Sequence, residues 1–327
     1  MSFYTIAIFN PKEGVGKTSL VYHLAWMYRD LGLEVVVADL DPQAKLTAAF
    51  LEEDNLEDRW LVANTVSRSE AHLVEEIGEM MRPQEIEEQL TLLTGNMSLL
   101  AFEDELSKVW HLPANEHTYE VLSAFWQYLQ QAATIQNANI VLMDLGSNLG
   151  AINRAALIAA DYVIVPLIPD LLSVLSLKHL GRALQQWREQ WKRRREHNAA
   201  VKLPLGHMSA LGYVIFQQPI KLYLGANSYS KWMMEIPRVY HEVILNDFFE
   251  ENTFSLKDDP HCLQVFKTYY SLKSMAIEVR KPIFHLKPAD GALGAYGDLV
   301  PTAYREYQQL AKNIAKRAGI VLPEFGA

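Results

Sequence analysis

The chain of 327 residues is 50% hydrophobic and 21% charged, enough apolar sequence for a sizeable core, and its single cysteine, Cys262, excludes an internal disulfide. It contains no run of eighteen apolar residues, so a membrane-spanning helix is excluded; no basic and apolar leader marks a signal peptide, and a reducing, cytoplasmic setting is expected. The net charge of −9 is uneven: residues 52–105 hold 15 acidic and 3 basic side chains, a net of −12, which leaves +3 for the remainder.

In chain order, Phe3 to Phe9 is an apolar run of strand length, and NPKEGVGKTS (Asn10 to Ser19) follows it directly. The plain phosphate-loop pattern GxxxxGK wants glycine where Pro11 stands, so what remains is GVGKT with an additional lysine, Lys12, five residues ahead of Lys17. Gly14 and Gly16 permit backbone angles closed to other residues, so successive N–H groups, including those of Glu13, Val15 and Ser19, can converge on phosphate oxygens at a helix start. Lys17 offers a point charge to the outer phosphates and Thr18 a hydroxyl to Mg²⁺. Leu20 to Leu31 has helical periodicity, Gly32 ends it, and Glu34 to Leu40 (EVVVADL) reads as a buried parallel strand leading into ADLDPQAKLT. A carboxylate at such a strand end is either a chemical group or a cap on the next helix.

Residues 52–138 are expected to form a largely helical acidic lobe, with helical patterns over Glu70 to Met81 and Pro83 to Leu90. Asn139 to Gly150 (NIVLMDLGSNLG) is an apolar strand ending in Asp144, the form of a segment that holds Mg²⁺. Another strand and helix follow in Ala159 to Leu177, and a basic cluster in 182–202 includes Arg188, Lys192, Arg193, Arg194 and Arg195. Trp187 and Trp191, four apart, are expected to pack inward, leaving the arginine run exposed at a helix end where positive charge suits the dipole. GYVIFQ (Gly212 to Gln217) is a further strand; Tyr304, Tyr307, Leu310, Ala311, Ile314, Ala315 and Ala318 form an apolar helix stripe, read as packing against the sheet rather than against a membrane. Strands alternating with helices predict a single α/β domain over 1–327, doubly wound, with a mainly parallel sheet covered by helices on both faces.

A phosphate loop with a second lysine before its glycines resembles the deviant Walker A of the ParA/MinD family of P-loop ATPases, usually KGGVGKT; Glu13 stands where the family has glycine, and its carboxylate must point outward to avoid a triphosphate. ADLDPQ is similar to the family's DxDPQ switch, and the Asp144 strand to its Walker B segment, with Gly146 and Ser147 replacing prolines while Leu149 and Gly150 are kept. The resemblance runs on through KPIFHLKPADGALGAY (Lys281 to Tyr296) and so spans nearly the whole chain.

The resemblance implies an ATPase that forms a homodimer around two ATP·Mg²⁺, slow until a protein partner activates it. Catalytic roles fall to Lys17, to Lys12, reaching across the dimer, and to Asp41, orienting the attacking water. Asp39 lies nearer the metal shell with Thr18 and Asp144, and Gln217 and Pro282 are base-side candidates. It further implies non-specific DNA binding in the ATP state, through basic residues such as Arg188 to Arg195, nucleoid association, and partitioning or positioning of DNA or another large cargo. Two alternatives stay open: a MinD-like membrane switch, and a nucleotide-gated regulatory module that meets a protein partner.

Overall fold

The computed structural model describes residues 3–52, 73–113, 115–196, 202–217, 226–247, 256, 258–267, 269–292 and 294–323. Eight strands, β1 (Tyr4–Ile8), β2 (Val35–Asp39), β3 (Pro83–Glu87), β4 (Leu90–Leu93), β5 (Ile140–Asp144), β6 (Tyr162–Leu167), β7 (Ser209–Phe216) and β8 (Cys262–Phe266), form one sheet in the order β3-β4-β2-β5-β1-β6-β7-β8. All neighbouring pairs are parallel except β3 with β4.

The central strands are apolar apart from Thr5 and the acids that close β2 and β5, because both faces are covered, as parallel sheets require. Their side chains alternate between two cores. Ile6, Ile8, Val35 and Val37 face helices α1 (Lys17–Asp30), α2 (Lys45–Phe50), α9 (Tyr270–Glu278) and α10 (Ala295–Ala318). Ala7, Phe9, Val36 and Ala38 face α3 (Leu73–Met80), α4 (Leu100–Val109), α5 (Glu116–Ile135), α6 (Ala151–Ala159), α7 (Leu171–Glu196) and α8 (Ala226–Tyr240). The expected doubly wound α/β fold is therefore present.

Helix α3 bears out the reading of 70–81 over its described part; Glu70 lies outside the described residues. The helix expected over Pro83 to Leu90 is instead the hairpin β3–β4. Side chains from Pro83 to Glu87 alternate exposed and half-buried, Ile86 packs on the core, and Gln89 takes the left-handed turn conformation at φ 67°. As the sheet edge, β3 tolerates Pro83 and is shielded by glutamates. Residues 52–138 thus include β4, buried beside β2 within the sheet, and are not helices alone.

The stripe on α10 is consumed by packing: Tyr307, Leu310, Ala311, Ile314, Ala315 and Ala318 are all buried in the core shared with α1. No described helix is long and apolar enough to cross a membrane.

Candidate functional site: a phosphate cradle beside three carboxylates

Strand register assembles the site. β5 lies between β1 and β2, so Asp144 pairs with Ile8 on one side and Asp39 on the other, putting two carboxylates next to the loop that leaves β1. Gly14 and Gly16 adopt φ of 72° and 91°, the left-handed region that the loop needs before α1 begins at Lys17. A methyl at Gly16 would also come within 3.1 Å of the Phe216 ring. Val15 is buried and anchors the loop, whereas Glu13 is exposed, the outward placement its charge requires.

Lys17 is nearly buried, and its Nζ donates to Ser147 Oγ (2.6 Å) and to the Lys12 carbonyl (3.1 Å). Burial lowers its pKa, opposed by Asp144, Asp41 and Glu13. Asp144 is fully buried and neither carboxylate oxygen has a hydrogen-bond partner; the Thr18 hydroxyl approaches without forming a bond of good geometry. Burial and the Asp39 charge together hold its pKa well above the usual carboxylate range. A buried carboxylate with two unmet oxygens, beside a hydroxyl at the start of a phosphate-loop helix, fits a divalent cation that takes its other ligands from phosphates and water. In keeping with that, no three His, Cys, Asp or Glu side chains among the described residues make a self-sufficient metal cage.

Asp39 was expected nearer the metal, but its oxygens are committed within the protein. Oδ2 accepts from Thr47 N (2.8 Å) and Thr47 Oγ1 (2.7 Å), and Oδ1 from Asp41 N (3.3 Å). Burial raises its pKa to about 7. Asp39 therefore organises the DPQAKLT loop through Oδ2, while Oδ1 has a single long contact. Asp41 is buried to 9% relative exposure, and its Oδ1 accepts from Gln43 N (3.0 Å), an Asx turn that aims the carboxylate toward Gly146.

Lys12 does not extend from the surface. Its Nζ reaches Asp170 Oδ2 (2.5 Å) and Ser173 Oγ (3.1 Å) at the start of α7, while its own N–H donates to Asn10 Oδ1 (2.9 Å). Of the base-side candidates, Gln217 lines a cavity of about 140 Å³ with Gly14, Gly16, Phe216 and Tyr269; Ile283, not Pro282, forms its other wall.

Several functional neighbours escaped the sequence reading. Thr47 and Gly95 complete the Asp39 network: Gly95 N donates to Thr47 Oγ1 (2.8 Å), and a methyl at Gly95 would fall 2.6 Å from the Asp39 carbonyl. Glu103 accepts from Ala151 N (2.6 Å) and Ile152 N (2.9 Å), fixing the loop after Asp144. Gly95 lies in a turn-like TGN, and Asp170 reads as a helix cap, but neither signal names its partner.

The basic cluster lies apart from this edge. Helix α7 has 26 residues, roughly 39 Å at 1.5 Å per residue, so its arginine end is far from Asp170. Trp187 and Trp191 pack inward as expected. Arg188 donates to the carbonyls of His207 (2.8 Å) and Met208, Arg194 to those of Trp110 and Leu112 (3.3 Å), and Arg195 to Leu205 (3.1 Å). Arg194 also lies over the Trp110 ring at 5.3 Å. Lys192 and Arg193 are the exposed members.

Known proteins resemble this chain in sequence and in fold. Residues 3–196, more than half of the chain, match the family described as AAA domain (AAA_31). A ParA family protein of Chlamydia pneumoniae is 29% identical over 182 residues, 55% of this chain and 65% of that protein. The cell division protein PomZ of Myxococcus xanthus is 26% identical over 210 residues, 62% of this chain and 60% of that protein. The chain spans between 41% and 66% of the length of the curated relatives it matches. Among solved structures, Cyanothece McdA in complex with ATP shares the fold over 99% of both chains, with a TM-score of 0.61 at 13% identity. The chain belongs to the AAA domain (AAA_31) family and is similar in sequence to ParA family proteins.

Proposed function

We propose that this chain is an ATPase that dimerises around ATP·Mg²⁺, binds DNA without sequence preference in that state, and positions DNA or another large cargo. The observation that carries the reading is the convergence at the carboxyl ends of the central strands β1, β2 and β5 of a two-lysine phosphate loop, the unsatisfied Asp144 and the Asp41 turn. McdA is solved with ATP and a Borrelia burgdorferi plasmid partition protein with AMPPNP, which supports the choice of nucleotide.

In this reading Thr18 and Asp144 would hold Mg²⁺, with Asp39 behind them organising the loop. Bound there, the cation neutralises charge on the phosphate oxygens. The backbone N–H groups of residues 13–19 orient the triphosphate, and Lys17 leaves Ser147 to meet its outer phosphates. Asp41 positions the attacking water in line, and Lys12 releases Asp170 to stabilise the transferring phosphoryl group in the partner's site. Turnover is slow alone and rises with an activating protein; the protein is cytoplasmic and nucleoid-associated while ATP is bound. The apolar stripe of α10 is buried, which disfavours the membrane-switch reading.

Fluorescence anisotropy of an Asp41→Ala variant on a random duplex, with ATP, ADP or neither, across a salt series, tests the reading. Binding that requires ATP and weakens steeply with salt is expected. A variant that binds ATP and dimerises yet ignores DNA would leave the protein-partner module as the function.

A further inference from the structure

His23 lies on α1, one turn beyond the phosphate cradle, and is buried with 6% of its surface exposed, at the wall of the 140 Å³ cavity. Its Nδ1–H donates to the Ser19 carbonyl (2.6 Å), and its Nε2 accepts from the backbone N–H of Ile283 (3.2 Å). Those two bonds fix one neutral tautomer. The ring stacks on Tyr307 at 4.8 Å and 16° and meets Phe284 edge-on at 5.8 Å. Burial pulls its pKa down to about 4, in agreement with a neutral imidazole.

Both ends of this bridge belong to the candidate site. Ser19 closes the phosphate loop, and Ile283, like Tyr307, lines the 140 Å³ cavity that opens beside Gly14 and Gly16. The segment around Ile283 is braced to α1 a second time, where His285 Nε2 meets Asp30 Oδ2 at 2.6 Å, and internally by Lys281 on Asp290 at 2.8 Å and 2.9 Å. The helix that carries Lys17 and Thr18 thus also holds the far wall of the cavity, through one buried side chain near its start and one acid at its end.

We propose that His23 is a positioning residue that sets the distance between the phosphate cradle and the wall at Ile283, and so governs affinity for the nucleoside half of a purine nucleotide rather than for its phosphates. The inference rests on the nucleotide reading of this site. A positioning residue at the base side contributes equally to the ground state and the transition state, so its loss raises KM and spares kcat.

The test compares Mg²⁺·ATP with Mg²⁺·tripolyphosphate, a ligand that fills the cradle and has no base. His23→Leu keeps the apolar volume and removes both hydrogen bonds, stranding the Ile283 N–H; ATP affinity should fall about tenfold or more. Tripolyphosphate affinity should stay within about twofold, with kcat at saturating ATP unchanged. His23→Gln, which carries a donor and an acceptor on one amide, should recover most of the ATP affinity. Should His23→Leu fail to fold, Ile283→Pro removes the same donor at the first position of a short helix, where proline is tolerated, and the same difference between ligands is expected. Equal losses for both ligands, no loss of ATP affinity, or a glutamine variant no better than leucine would overturn the proposal. Wild-type protein that binds no ATP at all overturns the nucleotide reading and the inference with it, whereas normal wild-type binding with unchanged variants overturns the inference alone.

Discussion

Asp170→Asn isolates the contact that holds Lys12 within its own subunit. Asp170 has two jobs on separate oxygens: Oδ1 accepts from Ser173 N (2.7 Å) as the cap of α7, and Oδ2 receives Lys12 Nζ at 2.5 Å. Asparagine keeps the cap, since Asn and Asp serve equally well there, and removes the charge that attracts Lys12. The lysine side chain is 16% exposed and the aspartate 42%, so solvent screens the pair and about 1 kcal/mol is a fair magnitude for it. If Lys12 acts in the partner's site, each subunit must open this contact on dimerising. Two such contacts amount to about 2 kcal/mol, so the dissociation constant of the ATP-bound dimer should tighten about thirtyfold. Sedimentation equilibrium of Asp41→Ala, with and without Asp170→Asn, in Mg²⁺·ATP measures it. A dimer unchanged or weakened by Asp170→Asn would refute the reasoning and indicate that the pair persists in the dimer.

Four further outcomes follow from the same geometry. Asp144→Asn removes a buried, unpartnered charge, so the nucleotide-free protein should melt higher while Mg²⁺-dependent nucleotide binding is lost. Gly95→Ala presses a methyl onto the Asp39 carbonyl; it should destabilise by about 1–3 kcal/mol in urea titrations and lower hydrolysis by displacing the DPQ loop. For His23 the folded pKa, about 4, lies below its ordinary 6.5, so between those values the unfolded chain binds the extra proton and stability is lost as pH falls. Urea midpoints at pH 7 and pH 4 should therefore show a decline shallower by up to about 3 kcal/mol in His23→Gln than in wild type. If the end of α7 binds DNA, the double substitution Lys192→Glu and Arg193→Glu should weaken binding and lower the salt slope by about 2, whereas an unchanged slope would move the interface elsewhere.

The sequence was most legible where chemistry is local. The glycines before Lys17, the acids closing β2 and β5, and the tryptophan pair on α7 each announce themselves within a few residues, and parallel pairing then brings Asp39 and Asp144 together without further instruction. What escaped depends on contacts across the chain. Lys12 meets Asp170 158 positions away, and Asp39 is satisfied by Thr47, so their assignments to a partner's phosphate and to a metal could not be checked by pattern. Residues Pro83 to Glu87 look helical because Gln, Glu and Ile suit a helix, yet the exposed edge beside β4 is filled by that glutamate-rich strand. The arginine run read as exposed, but two of its members, Arg194 and Arg195, fold back onto backbone carbonyls, as does the neighbouring Arg188.

The most direct test of the account is ATP hydrolysis by wild type and by Asp41→Ala in Mg²⁺, with the oligomeric state of each followed by light scattering. Asp41→Ala should lose hydrolysis and accumulate as an ATP-dependent dimer, because the cradle and Lys12 are intact while the attacking water is not positioned. Hydrolysis by Asp41→Ala at the wild-type rate would contradict it.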